Sequence, residues 1–110
     1  MKKNEIKYKV WLEKDGEIII GLGRDELLRK VQETGSIKKA AESIGISYKK
    51  ALEYIKAMEK RTGKKLVETK RGGKERGGSS LTEEALILLN RFEKIKKDFD
   101  SLVRKLESNG

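Results

Sequence analysis

A mainly helical fold with a small β component is what this chain of 110 residues predicts, and three observations carry that expectation. Apolar residues recur at spacings of three and four through most of the chain beyond Asp25. Ser36, Ser47 and Thr82 each precede such a run, while Gly35, Gly45 and Gly63 follow one, which is the punctuation of capped helices. Alternation with period two is confined to the first twenty residues and to the stretch around 66–81. Hydrophobic residues make up 35% of the chain and charged residues 41%, so one small core serves a single domain, 1–110.

The elements follow in order. Ile6, Tyr8, Val10 and Leu12 share one face of an alternating segment, Asp15-Gly16 supplies a tight turn, and Glu17-Ile18-Ile19-Ile20 returns, which predicts a β-hairpin over 6–20. Trp11 reads as a packing residue of that hairpin. Gly21-Leu22-Gly23 breaks the sheet, and a helix from about Asp25 carries Leu27, Leu28 and Val31 inward to Gly35. Ser36 caps a second helix with Ile37, Ala40, Ala41 and Ile44 inward. Ser47 caps a third, 48–61, with Ala51, Leu52, Ile55 and Met58 inward and Tyr54 half-buried. Leu66-Val67-Glu68-Thr69 and Ser79-Ser80-Leu81 read as paired strands around a glycine-rich loop, giving a wing over 66–81. Thr82 caps the last helix, 83–107, with Glu83 and Glu84 where the helix dipole favours anions. Its apolar positions Ala85, Leu88, Phe92, Ile95, Phe99, Leu102 and Leu106 repeat at intervals of three and four. That is a coiled-coil seam, and Leu88 to Leu106 of it are expected at a dimer interface.

Charge is concentrated in one helical module. Thirteen cations and five carboxylates between residues 36 and 76 leave +8 of the chain's total of +9. A cation field confined to one module is the footprint of a surface that meets a polyanion.

Within that module the demands of a helix-turn-helix are met together. Ala41 is the small residue where two helices cross, Gly45 accommodates the turn, Ile46 plugs it, and Ala51 and Ile55 face inward from the second helix. Tyr48, Lys49, Lys50 and Glu53 then lie on the exposed first turns of a recognition helix suited to the major groove. Lysine donates to guanine or phosphate, and glutamate accepts from cytosine. Ser36, Lys38 and Ser47 sit at helix starts, where a phosphate is favoured. Lys70, Arg71, Lys74 and Arg76 surround four glycines of the wing, hanging cations on a backbone able to follow flanking phosphates or a minor groove. The phosphate-binding loop pattern Gly-x-x-x-x-Gly-Lys-Ser/Thr is not satisfied there. The fold class is therefore a winged helix-turn-helix with an N-terminal β-hairpin and a long C-terminal dimerisation helix.

Gly35-Ser36-Ile37, Ala40-Ala41, Gly45-Ile46-Ser47-Tyr48-Lys49, Ala57-Met58, Leu66-Val67-Glu68, Gly72-Gly73-Lys74, Gly77-Gly78 and Leu81-Thr82 resemble the N-terminal DNA-binding domain of ModE-type molybdate-responsive regulators, which is related to the LysR family. The resemblance runs roughly from Trp11 to Phe99. It implies a transcriptional regulator, dimeric through its long last helix, with Tyr48, Lys49, Lys50 and the wing on DNA. In full-length members molybdate binds in C-terminal β-barrel domains beyond that helix. Here the chain ends with the helix, so molybdate sensing is not carried over, and no small-molecule effector is evident from the sequence.

Other classes of function find little support. Cys and His are absent, which removes thiolate metal sites, the commonest metal ligand and the commonest general base. No carboxylate pair suggests a catalytic dyad, so neither an enzyme nor a metal or other cofactor is expected. No window reaches the roughly 18 apolar residues of a membrane span, and no signal peptide opens the chain. The expectation is a homodimeric, sequence-specific, double-stranded DNA-binding regulator in the prokaryotic cytoplasm, associated with the nucleoid. The rivals are a non-specific architectural DNA-binding protein and a protein-interaction module.

Overall fold

The computed structural model describes residues 4–70 and 78–109. Two strands, three short helices, two further strands and a long helix follow one another: β1 (Leu12–Lys14), β2 (Glu17–Ile20), α1 (Leu22–Thr34), α2 (Ile37–Ile44), α3 (Tyr48–Thr62), β3 (Val67–Thr69), β4 (Ser79–Leu81) and α4 (Glu83–Asn109). Each strand pair is antiparallel and separate from the other.

The core joins α1, α2 and α3 to the first half of α4. Ile20, Leu27, Leu28, Val31, Ala40, Ala51, Met58 and Ala85 are fully enclosed, and Ile37, Ala41, Ile55, Leu66, Val67, Leu89 and Phe92 complete the cluster. Alanines at 40, 41 and 51 let the backbones of three helices approach closely, which is why so few large side chains suffice to close the interior. The helix caps stand where the sequence places them. Ser36 Oγ accepts from Lys39 N at 3.1 Å, Ser47 Oγ from Lys50 N at 3.0 Å and Thr82 Oγ1 from Ala85 N at 3.2 Å. Gly45 takes the left-handed conformation, φ 77°, that turns α2 into α3, and Ile46 N returns to Ala41 O at 3.0 Å.

Two boundaries differ from expectation. The paired part of the hairpin is shorter than 6–20, since β2 ends at Ile20 and leaves residues 6–11 no strand to pair with. That segment instead lies against the far half of α4. Ile6 N donates to Glu107 Oε2 at 3.0 Å, the Tyr8 hydroxyl donates to Asp100, and the Tyr8 and Phe99 rings are 6.0 Å apart. The acceptor at Asp100 raises the Tyr8 pKa above its ordinary value. The second difference is α1, which begins at Leu22 rather than Asp25 and takes Gly23 into its first turn. Gly21 caps it without a side-chain bond, and Asp25 N closes the first turn on Gly21 O at 2.9 Å.

The last helix extends past the globular part. The radius of gyration is 16.7 Å, against about 13 Å for a compact chain of this length, and the longest extent is 61 Å. Its seam divides in two, which corrects the reading of one residue. Phe92 is 1% exposed and belongs to the chain's own core, so it is not available to a second chain as an interface residue. Leu88 is half-buried against the same core, Ile95 is half-buried, and Phe99, Leu102 and Leu106 are 44%, 48% and 51% exposed.

Candidate nucleic-acid interface

The exposed end of the helix-turn-helix is built by its caps. Because Ser47 holds the Lys50 amide, the side chains of Tyr48, Lys49 and Lys50 project from the first turn of α3, all exposed, with Tyr48 at 50%. Glu53 continues the same surface one turn on and is exposed. Ser36 is half-buried at the start of α2, and Lys38 beside it is exposed. The hydroxyls of Ser36 and Ser47 are committed to their caps as acceptors, which leaves the hydroxyl hydrogens to donate outward.

Among the described residues none of Lys38, Lys49, Lys50, Glu53 and Lys70 takes part in an ion pair. The cations of α3 share this state with one exception. Arg61 Nε meets Glu17 Oε2 at 2.8 Å and its Nη1 donates to Ile18 O at 2.6 Å, so that arginine ties the recognition helix to the hairpin. A helix face of uncompensated ammonium groups attracts anions at long range and has no internal partner to surrender when one arrives.

The wing is anchored at its base. Lys70 N donates to Gly78 O at 2.9 Å, and Ser79 N donates to Gly35 O at 2.8 Å, which docks β4 on the α1–α2 junction. A Cβ on Gly78 would stand 3.2 Å from that same carbonyl, tight enough to need a shift of the backbone. Leu66 N, just before β3, and Val67 N, its first residue, both donate to Glu59 Oε2, at 2.8 and 3.2 Å. Lys70 is exposed where the wing leaves the domain. Arg71, Lys74 and Arg76 lie outside the described residues.

Sequence reading missed one cluster beside this surface. The Arg24 guanidinium lies 4.6 Å from the Tyr54 ring centroid and Lys50 Nζ lies 5.4 Å from it. Tyr54 is half-buried, as expected, but it also gathers two cations from different helices. The only signal in the sequence was the spacing of Lys50 and Tyr54, four residues apart on one helix.

Among the described residues no group of three or more Asp or Glu side chains could hold a metal ion, and no helix is long and apolar enough to cross a membrane.

Comparison with known proteins agrees with this architecture. The model of the bacterial regulatory helix-turn-helix protein, lysR family, matches residues 24–86. The transcriptional regulator ModE of Haemophilus influenzae is 35% identical over 97 residues, covering 88% of this chain and 37% of that protein. The ModE of Yersinia pestis is 39% identical over 83 residues, covering 72% and 32%. In Escherichia coli the DNA-binding transcriptional dual regulator ModE is 36% identical over the same length. The chain thus spans about a third of the length of the curated relatives it matches. A crystal structure of a CbnR DBD–DNA complex superposes with a TM-score of 0.59 at 18% identity, over 79% of this chain and 94% of that one, and so shares the fold. The match over 24–86 takes in every residue of α1, α2, α3 and both wing strands except the first two of α1, and the chain belongs to the lysR family of bacterial regulatory helix-turn-helix proteins, with ModE regulators among its relatives.

Proposed function

We propose that this protein is a sequence-specific double-stranded DNA-binding transcriptional regulator, which works as a homodimer in the cytoplasm. The observation that carries the reading is the first turn of α3, where Tyr48, Lys49 and Lys50 stand exposed and unpaired on a helix that the Ser47 cap and the Gly45 turn aim outward. Such a helix end fits the major groove, with Lys49 and Glu53 reading base edges and Lys38 and Lys70 on phosphates. Arg71, Lys74 and Arg76, between β3 and β4 in the sequence, add further cations to this module. The ModE relatives named as transcriptional regulators and the family match support the same assignment. Homodimerisation is supported by the exposed Phe99, Leu102 and Leu106 on one helix, since a pair of recognition helices reads two half-sites.

Selection of bound sites from random DNA, followed by titration of the selected duplex and a scrambled one at 50 and 200 mM salt (on the order of the range where phosphate contacts are exposed), tests the reading. A recovered motif with two-fold symmetry and a steep salt dependence is the expected result. Equal affinity for both duplexes points instead to architectural binding, and no salt-dependent affinity removes DNA as the partner.

A further inference from the structure

The Arg24–Tyr54–Lys50 cluster borders the proposed recognition surface, in which only Lys50 of the three has an assigned part. Arg24 belongs to the first turns of α1, whereas Tyr54 and Lys50 are on α3. The ring of Tyr54 stands 4.6 Å from one cation and 5.4 Å from the other. Two like charges gathered on one aromatic ring repel each other, and among the described residues no carboxylate forms an ion pair with either, although the exposed Glu26 lines the same cleft as Arg24 and Tyr54. Asp25, next in sequence to Arg24, turns to Arg29 Nε at 3.0 Å instead. Glu17 is committed to Arg61. Burial pushes the Arg24 guanidinium below its ordinary pKa, Tyr54 opposes this and nearby Arg61 adds to it, although an arginine stays charged at neutral pH. A place that collects cations, holds one of them on a ring and gives neither an ion-pair partner is preorganised for an external anion.

Resting on the DNA-binding reading above, we propose that Arg24 is a further DNA contact, a backbone-phosphate clamp supplied by α1, and that Tyr54 is the positioning residue that holds it beside Lys50. Phosphate rather than base is favoured on two grounds. Tyr54 lies further along α3 than Tyr48 and Lys49, past the turn set to enter the groove, and Arg24 approaches from outside that helix. A guanidinium is also the side chain whose paired donors match a phosphate's oxygens. The ring limits the arginine's rotamers, so less freedom is lost when the phosphate docks.

Salt dependence separates this role from a structural one. Titration of the full chain on a selected and a random duplex over a salt series gives the slope of log affinity against log salt. Arg24→Gln is expected to make the slope shallower by about 1 and to weaken both duplexes by the same factor. Arg24→Lys, which keeps the charge, should keep the slope. Tyr54→Leu should keep the slope but lower affinity about twofold to fivefold, and Tyr54→Phe should restore it. Thermal unfolding of each variant establishes that it is folded at the assay temperature. A folded Arg24→Gln protein with the unchanged slope would overturn the clamp, as would a Phe variant no better than Leu overturn the ring as its platform. If the unaltered chain itself shows no salt-dependent binding, the DNA reading fails and this inference with it; a wild-type slope that Arg24→Gln leaves untouched removes the clamp alone.

Discussion

Lys49 and Lys38 carry the same charge and are both exposed, yet the interface proposed above gives them different tasks. Lys49 is the second residue of α3, on the turn aimed at the groove, while Lys38 is the second residue of α2, beside the Ser36 cap. Lys49→Ala is expected to lower discrimination at one base position by about 1–3 kcal/mol, read as the difference between cognate and substituted duplexes. Lys38→Ala should weaken all duplexes alike. Equal losses on cognate and random DNA for Lys49→Ala would place that lysine on phosphate. These residues were legible in the sequence because caps and exposed first turns follow from neighbours within four positions. Arg24 was not, because its contact with Tyr54 joins residues thirty apart, and nothing local distinguishes it from an ordinary surface cation. Arg61 counted toward the basic field by sequence, but its bonds to Glu17 and Ile18 turn it into a brace.

At the level of elements, the wing is held by groups that belong to helices. Glu59 of α3 accepts from two successive amides at the start of β3, and Thr82, the cap of α4, donates to Lys65 O at 2.7 Å while its own amide donates to Leu66 O at 3.0 Å. Glu59→Ala leaves two partly buried N–H groups without an acceptor, so it should cost about 1–3 kcal/mol in denaturant unfolding. Glu59→Gln keeps an amide oxygen in reach and should cost less. A loss of similar size for both would mean that charge, not hydrogen bonding, is what matters there. Both strands of the wing and all four helices were legible, since periodicity and caps agree along them. The N-terminal strand was overread for a physical reason. Alternation of apolar and polar residues marks one apolar face, and here Ile6 and Tyr8 meet α4 through hydrogen bonds and the Phe99 ring rather than a paired strand, with both side chains left exposed.

Across the whole molecule, one heptad pattern serves two different surfaces. The spacing of Ala85, Leu88, Phe92, Ile95, Phe99, Leu102 and Leu106 is uniform, so sequence alone cannot mark where the helix leaves the domain. Packing marks it: Ala85 and Phe92 are sealed in the core, and from Phe99 onward the apolar side chains are about half exposed. The two ends therefore make opposite predictions. Phe92→Ala removes an enclosed ring and should destabilise the fold by about 3–5 kcal/mol in denaturant unfolding. Phe99→Glu combined with Leu102→Glu touches no enclosed residue and should leave the helical signal of the domain intact, while light scattering shows the mass fall from dimer to monomer. The same double variant should bind an isolated half-site as before and lose the advantage of a two-fold symmetric site, because only the link between two recognition helices has been cut. A dimer that survives both substitutions would move the interface away from this helix, and the neighbouring exposed groups at Ile6, Tyr8 and Trp11 would be the next to test.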